Sequence, residues 1–195
     1  LWRFLRLARR LGKVVAWTAH DLESHDRRYA ADRIGNAVLA RAADLVVCHS
    51  EHTRGRLLGR YWGRPETALV VPLGNYDGVY PPPRPAADTR ARLGLDPGRR
   101  TLLALGLVRR YKGFDVAVEA LRRLGPGYQL VVAGHVRPGW EAVADDLRAR
   151  AAGLPGVALD LRHQDDQEAA DLHAAADCVL LPYRWVTGSG ALLTS

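Results

Sequence analysis

Lys112 stands between Tyr111 and Gly113 in the stretch GLVRRYKGFD, residues 106 to 115, of a chain that otherwise relies on arginine: of 28 basic residues only Lys13 and Lys112 are lysine. An ammonium is a compact point charge, whereas a guanidinium is a broad fork, so a lysine singled out in this way suits a narrow phosphate site. Arg109 lies three positions before it and supplies a second cation to the same loop. A glycine-flanked serine, Gly188-Ser189-Gly190, opens a helical pattern near the end of the chain and offers backbone N–H groups to an anion. Two such sets on one rim imply a diphosphate.

A third stretch, AHDLESHD at residues 19 to 26, groups His20, Asp21, His25 and Asp26. Imidazole beside carboxylate suits proton transfer, and equally a hydrogen-bonded pair that fixes a turn. The same residue types suit zinc or manganese, but the spacing from His20 to His25 matches no standard site, so no metal is expected.

The elements that must position these residues alternate between apolar, β-rich runs and helical patterns, which predicts a parallel sheet with helices on both faces. The strands read as 14–18, 44–50, 68–74, 101–107, 128–134, 156–161 and 177–183. In open α/β sheets ligands sit at the carboxyl ends of strands, where the loops holding His20, Lys112 and Ser189 fall. Ser50 predicts a helix N-cap for 51–60, and a second helix opens at Phe114 or Asp115 and ends near Gly125-Pro126. NYDGVYPPPRPAAD, residues 75–88, reads as a stiff linker between a first α/β unit, 1–74, and a second, 89–195. Neither unit has enough strands to be a complete open sheet.

Composition excludes little. A hydrophobic share of 48% with 25% charged residues is that of a globular chain, and a net charge of +7 with a pI near 9.9 reads as arginine spread over solvated faces. No groove-reading motif accompanies that charge, so no nucleic acid is expected as a partner. Cys48 and Cys178 both lie in apolar runs and are expected to be buried as small hydrophobes, which points to a cytoplasmic setting. No segment has the length of a membrane span or the pattern of a signal peptide. Residues 1–13 form a basic amphipathic helix with Leu1, Phe4, Leu5, Ala8 and Leu11 on one face, suited to packing on a sheet or to lying on an anionic membrane. The chain lacks methionine, so its true beginning is expected to be missing.

The run GLVRRYKGFD, the helix VAVEALRRL, then YQLVVAGH and DLHAAADCVLLPY resemble the carboxyl-terminal domain of family 4-like glycosyltransferases of the GT-B fold. VVAWTAHDLESHD, ADLVVCHSEHTRGRL and ALVVPLGNYDGVYPP resemble the end of the amino-terminal domain and the linker. The resemblance implies two Rossmann-like domains with parallel sheets facing across a cleft, both incomplete in this chain. It implies a nucleotide-diphosphate sugar donor bound by Gly106, Arg109, Lys112, Gly188, Ser189 and Gly190, with no cofactor and no metal. His20 matches a histidine that faces the donor sugar, and together with Arg109 and Lys112 makes up the expected catalytic set. A saccharide or polyprenyl-linked acceptor, retention of anomeric configuration, and a role in bacterial polysaccharide or glycolipid synthesis are implied as well. Peripheral contact with the inner face of the plasma membrane would run through helix 1–13.

Two departures from the family pattern stand out. Many members carry arginine directly after the first glycine, where this chain has Leu107, and a pair of glutamates where it has Thr187 and Ser195. A module that binds a sugar nucleotide or a membrane without catalysis is the alternative these departures leave open.

Overall fold

The computed structural model describes residues 1–22, 30–76 and 78–185. They fall into two compact units, one containing Leu1–Gly74 and the other Asn75–Arg184.

In the first unit the order is α1 (Trp2–Arg10), β1 (Ala16–Ala19), α2 (Ala30–Ala42), β2 (Leu45–Cys48), α3 (Glu51–Tyr61) and β3 (Ala68–Val70). The strands form a parallel sheet in the order β1-β2-β3. Val46 and Cys48 point into a core that also takes Ala19, Leu22, Ala40, Leu57 and Tyr61. Asp44 starts the ladder by accepting the Val15 N–H at 2.9 Å. Ser50 caps α3 as the sequence predicts, its Oγ accepting the Thr53 N–H at 3.1 Å. α1 buries only Leu5 and Ala8, three positions apart on one side of the helix. Leu1, Phe4 and Leu11, placed on that same face by the sequence pattern, are exposed.

The second unit runs α4 (Ala86–Arg92), β4 (Arg100–Leu105), α5 (Phe114–Leu124), β5 (Tyr128–Ala133), α6 (Glu141–Ala151), β6 (Val157–Asp160), α7 (Asp166–Ala175) and β7 (Cys178–Val179). Its sheet is parallel, in the order β6-β5-β4-β7. Side chains alternate along each strand, so the central strands feed two layers. Leu102, Ala104, Leu130 and Val132 meet α5 and α6 on one face; Leu103, Val131 and Ala133 meet Leu172 of α7 and Leu95 beyond α4 on the other. Each of the buried leucines and valines contributes about 1.5–3 kcal/mol, which makes these two strands the rigid base for the loops at their carboxyl ends.

Two expectations are corrected. The proline-rich stretch is not a linker through residue 88, because α4 begins at Ala86 with Pro85 as its N-cap. Its second half is also fastened down. Pro82 O accepts from Gln167 Nε2 at 3.0 Å, and both the Arg84 N–H and the Arg84 Nε donate to Asp171 at 2.7 Å. Asp171 is only 1% exposed, and burial alone would push its carboxyl up; the bonds from the Arg84 backbone, the Arg84 side chain and Gln167 outweigh that and hold it below the usual carboxylate range. The second correction concerns Cys178, which is exposed while Cys48 is buried. β7 is a two-residue edge strand, so its thiol lies on a flank of the sheet and not between layers.

Candidate functional site

The carboxyl ends of β4, β5 and β7 form the rim that holds Lys112. After β4 the chain passes Gly106 and makes one turn of 3-10 helix at Arg110–Lys112 before α5 begins. Backbone bonds fix this loop to its neighbour: Gly106 N donates to Ala133 O, and Val108 N to His135 O, both at 3.0 Å. Gly134 leaves no room for a side chain, since a Cβ there would fall 1.7 Å from Gly106 O at a φ of +158°. The loop after β7 closes on the same turn. Arg184 N donates to Tyr111 O at 2.9 Å, and the Arg184 guanidinium pairs with Asp115 at the start of α5. Gly113 turns the chain through φ +69° directly beneath Pro182, whose O would lie 2.0 Å from any Cβ.

This staple sets the lysine. Lys112 Nζ donates to Tyr183 Oη at 2.7 Å and lies 4.2 Å from the centre of the Tyr183 ring. The Tyr111 ring is 5.5 Å from Nζ and meets Tyr183 edge to face, with centroids 6.0 Å apart. On the remaining side Nζ stands 3.6 Å from where a Cβ of Gly106 would be, which brings Gly106 and Lys112 together. Among the described residues no carboxylate lies within ion-pair distance of Lys112. Its charge is positioned by neutral groups.

Arg109 is turned to a different partner. Its guanidinium lies 5.1 Å from the ring centre of Trp140, at the start of α6. Along the same rim the His135 and His163 rings stand edge to face at 6.0 Å. Gly188, Ser189 and Gly190 lie outside the described residues, as do His25 and Asp26.

His20 belongs to the first unit, directly after β1. Its Nδ1 donates to Asp21 at 2.9 Å, and its ring meets that of His49, after β2, edge to face at 5.8 Å. His49 Nδ1 donates in turn to Val71 O, just past β3, at 2.9 Å. The His20 side chain is 58% exposed. Among the described residues no three His, Cys, Asp or Glu side chains converge as a metal-binding group.

Sequence reasoning missed Tyr183, Trp140 and His49. Tyr183 ends the strand-like run DCVLLPY and stands at the head of a loop the sequence marks as a ligand rim; its position after that strand was the available signal.

No protein-family model matches the chain. A D-inositol 3-phosphate glycosyltransferase of Segniliparus rotundus is 30% identical over 188 residues, which is 89% of this chain and 41% of that protein. Among solved structures, Anabaena Alr3699/HepE in complex with UDP superposes with a TM-score of 0.77 at 18% identity, over 92% of this chain and 49% of that one. The chain has the fold of the GT-B glycosyltransferases. WaaG, a glycosyltransferase involved in lipopolysaccharide biosynthesis, shares it with a TM-score of 0.65 at 23% identity, over 91% of this chain and 52% of its own. The GT-B chain described here thus spans about half the length of these relatives or less.

Proposed function

We propose that the chain is part of a glycosyltransferase that moves a sugar from a nucleotide-diphosphate donor to a saccharide or lipid-linked acceptor in bacterial polysaccharide or glycolipid synthesis, and that its second unit binds the donor. The observation that carries this reading is the Lys112 ammonium, fixed at the carboxyl end of β4 with no carboxylate to cancel it among the described residues. When the glycosidic bond of the donor breaks, negative charge grows on the departing diphosphate, and a fixed ammonium stabilises that charge more than it stabilises the ground state. Arg109 supplies a second cation on this reading, and Gly188, Ser189 and Gly190 supply backbone donors. Charge neutralisation is thereby assigned to side chains and main chain, with no metal.

His20 is assigned to the donor sugar, with Asp21 holding its orientation, and the transfer is assigned retention of configuration. The Anabaena neighbour was solved with UDP, which supports a nucleoside diphosphate as the ligand class. The test is sugar transfer by the full-length protein with UDP- and GDP-sugars. Lys112→Ala is expected to lower kcat/KM by at least a hundredfold. Turnover unchanged in that variant would contradict the assignment.

α1 supports a peripheral membrane contact on the cytoplasmic face. Trp2, Phe4, Leu7 and Leu11 are all more than half exposed, alongside Arg3, Arg6 and Arg10. No helix among the described residues is long and apolar enough to cross a membrane. Co-sedimentation of the full-length protein with anionic vesicles, lost on Phe4→Glu, is the expected result; absence of binding would mean that another part of the protein covers this stripe.

A further inference from the structure

We infer that Tyr183 is a positioning residue for the donor diphosphate, holding the Lys112 ammonium in place through its hydroxyl without cancelling the charge; this rests on the donor reading above. A lysine side chain has four rotatable bonds, and an exposed one spreads its charge over many positions. Lys112 is held instead by two contacts to one residue, the 2.7 Å bond to Tyr183 Oη and the 4.2 Å approach to the ring face. Only one of the three N–H donors of the ammonium is used in that bond.

The choice of partner matters because a carboxylate in that place would fix the lysine equally well and also neutralise it. The neighbouring residue shows that alternative in the same loop: Arg184 pairs with the Asp115 carboxylate and fastens the β7 loop to α5. The Arg184 charge is offset by Asp115, whereas Lys112, bonded to the adjacent Tyr183, has no carboxylate beside it among the described residues. Tyr183 is itself fixed, because its ring packs against Tyr111 at 60° and its backbone lies between Pro182, seated over Gly113, and Arg184, bonded to Tyr111 O. The phenol is thus a rigid prop in the loop after β7 for a side chain 71 residues earlier in the chain.

The test compares full-length wild type, Tyr183→Phe, Lys112→Ala and the double variant, titrated by calorimetry with UDP, GDP and the matching monophosphates. Tyr183→Phe keeps the ring and its packing and removes only the hydroxyl. Binding of the diphosphate is expected to weaken about tenfold, the scale of one charge-assisted hydrogen bond, with monophosphate binding and thermal midpoint unchanged. In the Lys112→Ala background the same substitution is expected to do nothing further. A loss that persists without Lys112, or that falls equally on the monophosphate, would show a merely structural tyrosine and overturn the inference. Tyr183→Phe binding like wild type while Lys112→Ala loses the diphosphate would overturn it and leave the donor reading standing. Failure of wild type to bind either diphosphate would overturn both.

Discussion

Lys112 donates to the hydroxyl of Tyr183 at 2.7 Å, and this bond adds a side-chain link between the loop after β4 and the loop after β7. It also defines the charge that the proposed chemistry uses. Everything around it is arranged so that neither loop can retreat from the other.

Gly113 makes the closure possible. Gly113→Ala would place a Cβ 2.0 Å from Pro182 O at a φ of +69°, so one backbone or the other must move. A loss of about 2–3 kcal/mol in unfolding free energy is expected, together with weaker diphosphate binding. Chemical denaturation and calorimetry on the same variant check both; an unchanged midpoint would mean that the two loops are not held together at this point.

Lys112→Arg should separate charge from shape. The guanidinium keeps the positive charge but is a planar fork, and the corner between Tyr183, Tyr111 and Gly106 is occupied by a single nitrogen. Donor diphosphate affinity is expected to fall about tenfold, less than in Lys112→Ala. Titration of both variants orders them, and equal loss would show that charge alone is not what the site retains.

The Arg84–Asp171 clasp sets an acid limit on the second unit. Asp171 has its folded-state carboxyl below the ordinary range, and so has Asp177, which accepts from Thr101 N–H and from Arg100. A carboxylate depressed in the folded state stabilises fully above its unfolded value of about 3.9 and loses that contribution as pH falls through the folded one. Stability is therefore expected to drop steeply below about pH 4, and Asp171→Asn to flatten part of that slope while costing about 2 kcal/mol at neutral pH. Denaturant melts between pH 7 and pH 3 check the sign; a variant with the wild-type slope would contradict it.

Ser50→Ala removes the cap of α3 and leaves the Thr53 N–H without its acceptor. A loss of about 1 kcal/mol is expected in the first unit. Diphosphate binding should not change, because Arg109 and Lys112, the cations assigned to the diphosphate, belong to the second unit. Reduced diphosphate affinity would contradict the assignment of the nucleotide site to the second unit.

The sequence placed the seven strands found among the described residues, since each is an apolar run bounded by turn residues, and it placed the Ser50 cap and the α5 boundaries because local chemistry decides them. It failed where distant residues decide. The run of prolines suggested an extended connection to residue 88, but a buried aspartate on α7 captures Arg84 and α4 starts at Ala86. Cys178 looked buried by its neighbours, yet whether a strand is central or at an edge is a property of sheet order. For the site, Lys112 was legible by its rarity and its place after a strand. The partners that fix it were not, because Tyr183 reaches it only once β7 lies beside β4. Likewise Trp140 takes the Arg109 guanidinium from a loop that sequence reasoning left without a role.

The most direct measurement of the central claim is calorimetric titration of the full-length protein and of Lys112→Ala with UDP and GDP in metal-free buffer. One diphosphate bound by the wild type, with affinity at least a hundredfold weaker in Lys112→Ala, is the expected result. Binding of neither nucleotide, or equal binding by both proteins, would contradict the assignment of Lys112 to a nucleotide-sugar site.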